Sequence, residues 1–236
     1  MKKSIYALLF FGLFCSITLN AQKSKKQEIR SLSVFQDVTI TGHADIHLYP
    51  DDKNEIRVTC DKKIDWNLFE TEVKDGELHV YYDHPRKNDN FNNEPKFTIQ
   101  LAYQHIERLD LEGKIWIATE EQLKSRKLDI HGMGMIKGHM NVRAEYLTVA
   151  MEGMPRLEMS GKAENVKMTM EGMGGIDASR LVSRSAYTRV EGMGKIQIDA
   201  REELKGSFSG IGSINYSGDP ERKKINKEGI VIVRRN

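Results

Sequence analysis

Six glycines, Gly113, Gly132, Gly153, Gly172, Gly192 and Gly210, follow one another at steps of 19, 21, 19, 20 and 18 residues. Each sits in a similar phrase: LDLEGKIWI, LDIHGMGMI, TVAMEGMPRL, KMTMEGMGGI, TRVEGMGKI and GSFSGIGSI. A unit this short cannot bury its own apolar face, so successive copies must stack and share one core. A period near twenty therefore predicts a solenoid.

Within a phrase the apolar spacing is two. Leu128 and Ile130 alternate with Asp129 and His131, and Val166, Met168 and Met170 with Lys167, Thr169 and Glu171. That is strand periodicity, one face buried and one wet. The glycine lets the chain turn a corner without ending the sheet, because it accepts backbone angles that side chains resist. Helix is disfavoured, since each glycine inside one would cost about 1 kcal/mol.

The first residues read differently. Lys2 and Lys3 precede an apolar run from Ile5 to Ile17, and Leu19, Asn20 and Ala21 offer a cleavage site before Gln22. This is the pattern of a secretory signal peptide over residues 1–21, and the run is too short for the roughly 20 residues that span a bilayer. Bulky Leu13 and Phe14 before Cys15 argue against a lipid-attachment signal. Cleavage removes two lysines and no acid, leaving 34 basic and 34 acidic side chains and a formal charge of zero instead of +2. A polyanion binder should be more basic than that. Cys60 would be the one thiol left, which excludes an internal disulfide framework. About 215 residues suffice for a core built from stacked strands.

A lysine-rich polar linker is expected over residues 22–30 and a single domain over 31–236. Residues 32–101 hold longer strands without the Gly-x-Gly phrase. There LFETEV and ELHVYY flank Asp75-Gly76, a strong two-residue hairpin signal because both positions tolerate positive φ. A polar, asparagine-rich loop from Asp83 to Glu94 is expected to protrude. The repeats take over near Ile106 and run to Tyr216, with GIVIVRR as a last strand.

Taken together, VTITG at Val38–Gly42, the hairpin EVKDGELHV, the phrases GMGMI, EGMGGI, EGMGKI and SGIGSI, and YSGDP at Tyr216–Pro220 resemble the auto-transporter adhesin "head GIN" domain family of exported proteins from Bacteroidetes-type bacteria. The resemblance spans nearly all of the mature chain. It implies an all-β fold, a right-handed parallel β-helix (β-solenoid) with turns of about 20 residues, capped by the N-terminal longer strands and hairpin. It brings no catalytic residues with it. Met133, Met154, Met173 and Met193 depart from the pattern, since the family more often has small residues there.

Three constellations are candidates for function. The four methionines should stack on adjacent turns about 4.8 Å apart. Such a ladder serves either as corner packing or as an adaptable apolar strip or soft-metal site. Immediately before the repeated glycines stand Glu112, His131, Glu152, Glu171, Glu191 and Ser209. Glu152, Glu171 and Glu191 form an outward row, either a solvated face balanced by Arg156, Arg189 and Lys195 or a site for basic groups or calcium. His43, Asp45 and His47 share the polar face of one strand, at about 6.6 Å spacing too wide for one metal without help.

No GxSxG, HExxH, P-loop or paired-cysteine motif is present. Asp177 and Asp199 with Lys137 and Lys195 are the nearest approach to a polysaccharide-lyase set, and only by analogy of fold. The expectation is therefore a noncatalytic exported interaction module, periplasmic, on the outer surface or secreted. Its rigid face would bind a glycan, protein or envelope component through Glu152, Glu171 and Glu191. Catalytic residues, metal, cofactor and nucleic acid are not expected, nor is an integral membrane protein. The alternatives are an enzyme acting on polysaccharide and a small-ligand or lipid-binding envelope protein.

Overall fold

The computed structural model describes residues 27–83 and 94–236. The expected signal peptide, most of the expected linker and the body of the asparagine-rich loop lie outside the described residues.

Alternation of apolar and polar residues carries through into strands along almost the whole described chain. These are β1 (Gln27–Ser31), β2 (Asp37–Pro50), β3 (Glu55–Cys60), β4 (Phe69–Lys74), β5 (Glu77–Tyr82), β6 (Phe97–Tyr103), β7 (Arg108–Thr119), β8 (Leu123–Gly153), β9 (Arg156–Ser217) and β10 (Arg222–Arg235). One short 3₁₀ turn, Trp66–Leu68, precedes β4, and the Asp65 carboxylate accepts from the Asn67 amide at 3.0 Å to start it. The protein is all-β, with one large, mostly parallel sheet that is not closed. Strands run β1-β3-β6-β2-β7-β8-β9-β10, with β4 paired to β5 and β5 to β2 off that path.

The N-terminal stretch forms one end of the sheet. β2 pairs in parallel with β7 along its length, while its other edge is shared between β5 at Asp37–Ile40 and β6 at Ala44–Pro50. β3 then adds antiparallel to β6, and β1 antiparallel to β3. The hairpin forms as expected: Lys74 lies opposite Glu77, with Asp75 at φ 52° and Gly76 at φ 81° in the turn. Gln27–Arg30, read from the sequence as the end of the linker, is instead most of β1. Its polar composition suits an edge strand, and the Arg30 guanidinium anchors it by donating to the Phe69 carbonyl at 2.9 Å and the Thr71 hydroxyl at 2.8 Å.

From β7 onward the register advances by nearly constant steps. Asp129 lies beside Arg108, Arg156 beside Lys137, and Arg222 beside Glu203. This aligns Gly42, Gly113, Gly134, Gly153, Gly172, Gly192, Gly210 and Gly229 in one column, all at positive φ. From Gly113 on, an added Cβ at each would collide with the carbonyl oxygen of the glycine before it. At Gly153 it would stand 2.6 Å from the Gly134 oxygen. The column thus differs from the spacing read in the sequence: Gly134, not Gly132, continues it. Gly132 has a buried, inward position, where a Cβ would meet Met151 and Ile136, so it is small to make room in the core.

Inward residues form one continuous core. Ile40, Leu109, Ile130, Val149, Met168, Ile198 and Phe208 are each at most 1% exposed. Burying such side chains is worth about 1.5–3 kcal/mol each, the main driving term for a sheet without helices. Cys60 is a free, buried thiol, and burial pushes its pKa up, so it packs as a small apolar residue. At the far end, β10 has one edge unpaired among the described residues and carries Arg222, Lys223, Lys224, Lys227, Arg234 and Arg235.

Candidate functional site

The glycine column fixes two outward rows, one on each side. The residue before each glycine gives Thr41, Glu112, Met133, Glu152, Glu171, Glu191, Ser209 and Glu228; the residue after it gives His43, Lys114, Met135, Met154, Met173, Met193, Ile211 and Ile230. Glu152 and Glu171 lie side by side in register, exposed and without an ion-pair partner among the described residues. Glu191 is ion-paired with Arg189, while Arg156 and Lys195, expected to balance the row, make no ion pair among the described residues. His131 leaves the row and lies beside Asp110, its Nδ1 3.0 Å from the Asp110 carboxylate.

The methionines divide by parity. Met140, Met151, Met159, Met168 and Met170 are core. Met133, Met154, Met173 and Met193 are 45–55% exposed, so corner packing does not account for them. Met154, Met173, Met193, Ile211 and Ile230 make an exposed apolar stripe parallel to the glutamates, and Met133 interrupts the acidic row instead of joining the stripe.

At the β2 end of the same rows the chemistry changes. His43, Asp45 and His47 point outward between buried Ala44, Ile46 and Leu48, as strand alternation requires. Register sets His43 beside Lys114 and then Met135, and Asp45 beside Trp116 and then Lys137. These residues line an open groove of about 480 Å³. The Trp116 ring lies 5.2 Å from that of His47 and 5.5 Å from that of His139. Asp45 holds Lys96 at 2.6 Å, and His47 Nδ1 lies 2.6 Å from Glu120. Lys114 and Lys137 have no acidic partner among the described residues. Partial burial, then the charges of Lys114 and Lys96, hold the His43 imidazole below its ordinary pKa, so it is neutral at pH 7.

His43, Asp45 and His47 were legible as one polar face; Trp116 and Lys114 were not singled out. Aligning the repeats on Gly113 and Gly134 would have shown KIW over MIK, an aromatic flanked by lysines in the outward rows. Of the residues considered for lyase chemistry, Asp177 and Lys195 line one shallow groove of about 210 Å³, whereas Lys137 lies in the separate groove at Trp116 and Asp199 is buried. Asp177 accepts from the backbone and hydroxyl of Ser179 at 3.0 and 2.6 Å, and Asp199 is buried against Arg201 at 2.7 Å and Ser217 at 3.0 Å. No group of three or more His, Cys, Asp or Glu among the described residues is placed to hold a metal ion. Nor is any helix among them long and apolar enough to cross a membrane.

An all-β chain with one large, mostly parallel sheet and a column of glycines in register is the class defined by this geometry. The chain belongs to the family described as "Putative auto-transporter adhesin, head GIN domain", which it matches over residues 34–220. Among solved structures it is similar to a "putative adhesin" from Bacteroides fragilis NCTC 9343, with TM-score 0.75 and 22% identity over 90% of this chain and 98% of that one. A "putative lipid binding protein" from Parabacteroides distasonis ATCC 8503 gives TM-score 0.63 and 22% identity over 90% and 98%. A "putative adhesin" from Parabacteroides merdae ATCC 43184 gives TM-score 0.60 and 17% identity over 89% and 95%. These likenesses establish the fold. No curated protein matches the chain.

Proposed function

We propose that the protein is a noncatalytic, exported, adhesin-like binding module whose parallel sheet winds as a right-handed β-helix. Two observations support the winding. A straight 62-residue strand such as β9 would be about 200 Å long, and the glycines within it stack on one another every 18–20 residues. Export rests on the charged and apolar start of the chain together with the family. Intact mass of protein recovered from the native envelope is expected to show cleavage before Gln22; a species that keeps Met1 overturns the exported reading.

The observation that carries the binding role is the pair of rows flanking the glycine column. Glu152, Glu171 and Glu191 face solvent in one row, and Met154, Met173 and Met193 in the next. A protein segment in extended conformation, with basic and apolar side chains, complements both: its cations meet the carboxylates and its apolar groups cover the flexible thioethers. Successive weak contacts along such a ladder add when the partner is itself repetitive. Exposed carboxylates contribute little to folding. The triple variant Glu152→Gln, Glu171→Gln, Glu191→Gln is therefore expected to keep its melting temperature within about 2 °C. It should lose most of its affinity for an immobilised Lys/Val-alternating peptide, and the wild-type interaction should weaken with salt. Equal binding by wild type and variant would exclude this face.

A further inference from the structure

We infer that the groove between the outward faces of β2, β7 and β8 is a subsite for an acidic sugar, a pyranose ring stacked against Trp116 with its carboxylate or sulfate ester held between Lys114 and Lys137. This site is separate from the glutamate and methionine rows and does not depend on the reading given for them.

Trp116 supplies the first argument. Most large apolar side chains of β7 point into the core; this indole stands on the outer face, partly buried and set between the imidazoles of His47 and His139. A side chain held in that way is an oriented platform with little rotamer freedom left to lose when a ligand covers it. The volume of about 480 Å³ falls within the roughly 300–1,000 Å³ of small-ligand sites.

Charge decides the kind of ring. Lys96 is neutralised by Asp45, and Glu120 is engaged by His47. Lys114 and Lys137 remain as cations uncompensated among the described residues, one two residues before Trp116 on its own strand and the other beside it on β8. Their field is felt locally, since Lys114 and Lys96 both disfavour protonation of His43, against smaller opposing contributions from Glu94 and Asp45. An anionic substituent placed there meets fixed positive charge. The remaining polar groups, the neutral His43 imidazole and the Asp45 carboxylate, suit the alternating donor and acceptor character of sugar hydroxyls.

A single-stranded nucleic acid also combines a flat face with negative charge. It fits less well, because a backbone leaving the groove along the stack meets Glu152, Glu171 and Glu191 instead of a continued basic track.

The test is titration calorimetry of the full mature chain with four tetrameric probes: oligogalacturonate, oligosaccharide from chondroitin sulfate, cellotetraose, and a thymidine oligonucleotide. At least one of the two acidic sugars is expected to bind about ten-fold or more tightly than cellotetraose; oligogalacturonate carries carboxylates alone and the chondroitin fragment carboxylates and sulfates, so binding of the first assigns the carboxylate and binding of the second alone the sulfate. Trp116→Ala should weaken that binding about ten-fold or more, as loss of a central aromatic anchor does, while Trp116→Phe retains part of it. Lys114→Gln and Lys137→Gln should each weaken it and reduce its salt dependence, at unchanged melting temperature. The His43 titration midpoint, followed by NMR, should rise in the complex, because the bound anion offsets the neighbouring lysines. Glu152→Gln, Glu171→Gln, Glu191→Gln should leave it intact, which separates this site from the ridge. Equal affinity for cellotetraose, indifference to Trp116→Ala, tighter binding of the oligonucleotide, or no binding by either acidic sugar overturns the inference.

Discussion

Gly192→Ala is expected to destabilise the protein by about 3–5 kcal/mol, more than most surface substitutions by an order of magnitude. Two costs act together at this position. The backbone is held at φ +120°, a region costly for any residue with a Cβ, by about 1–3 kcal/mol. In addition the new methyl would be driven into the carbonyl oxygen of Gly172, which is backbone and cannot swing aside. Gly42 separates the two: its φ is +129°, yet no atom of the described residues lies within 4 Å of an added Cβ, because it is first in the column. Gly42→Ala should therefore cost only the conformational part, about 1–3 kcal/mol. Thermal and denaturant unfolding of both variants checks the difference; equal losses would mean that the column is not closely stacked.

The second large effect is expected at Phe208, 1% exposed and the largest fully buried side chain near the β10 end. Phe208→Ala should cost about 3–5 kcal/mol through lost burial and the cavity left behind. The groups that could close the cavity are Ile225, Val231 and Val233 of β10, partly buried and packed against the core. Unfolding monitored by urea is expected to show a lower midpoint with little change in slope. A loss below about 1 kcal/mol would show that β10 collapses into the space.

Periodicity two and the recurring glycine made the all-β, parallel part of the fold legible, and Asp75-Gly76 located the hairpin because its chemistry is local. What stayed hidden was non-local. The partner of Gly42 is Gly113, with β3 to β6 between them in sequence, so no period connects the two. The phrase LDIHGMGMI contains two glycines, and only neighbours in space decide that Gly134 faces the column and Gly132 the core. That choice moves Met133 into the acidic row and Met135 to the groove. Exposure of Glu152 and Glu171 followed from alternation, whereas the groove at Trp116 needs side chains from three strands and becomes visible only once their register is known.

A parallel sheet whose every strand accepts the next has no internal reason to stop growing. At β10 the next place in line is bordered by six cations and the single acid Glu228, and even after Arg222 pairs with Glu203, Arg235 with Asp219, and Lys223 bonds Tyr216, the charges of Lys224, Lys227 and Arg234 stay uncompensated among the described residues. Lysine-rich borders of this kind discourage edge-to-edge addition of further chains. The strand at this edge thereby behaves as an electrostatic terminator, setting the sheet against becoming the seed of a fibre.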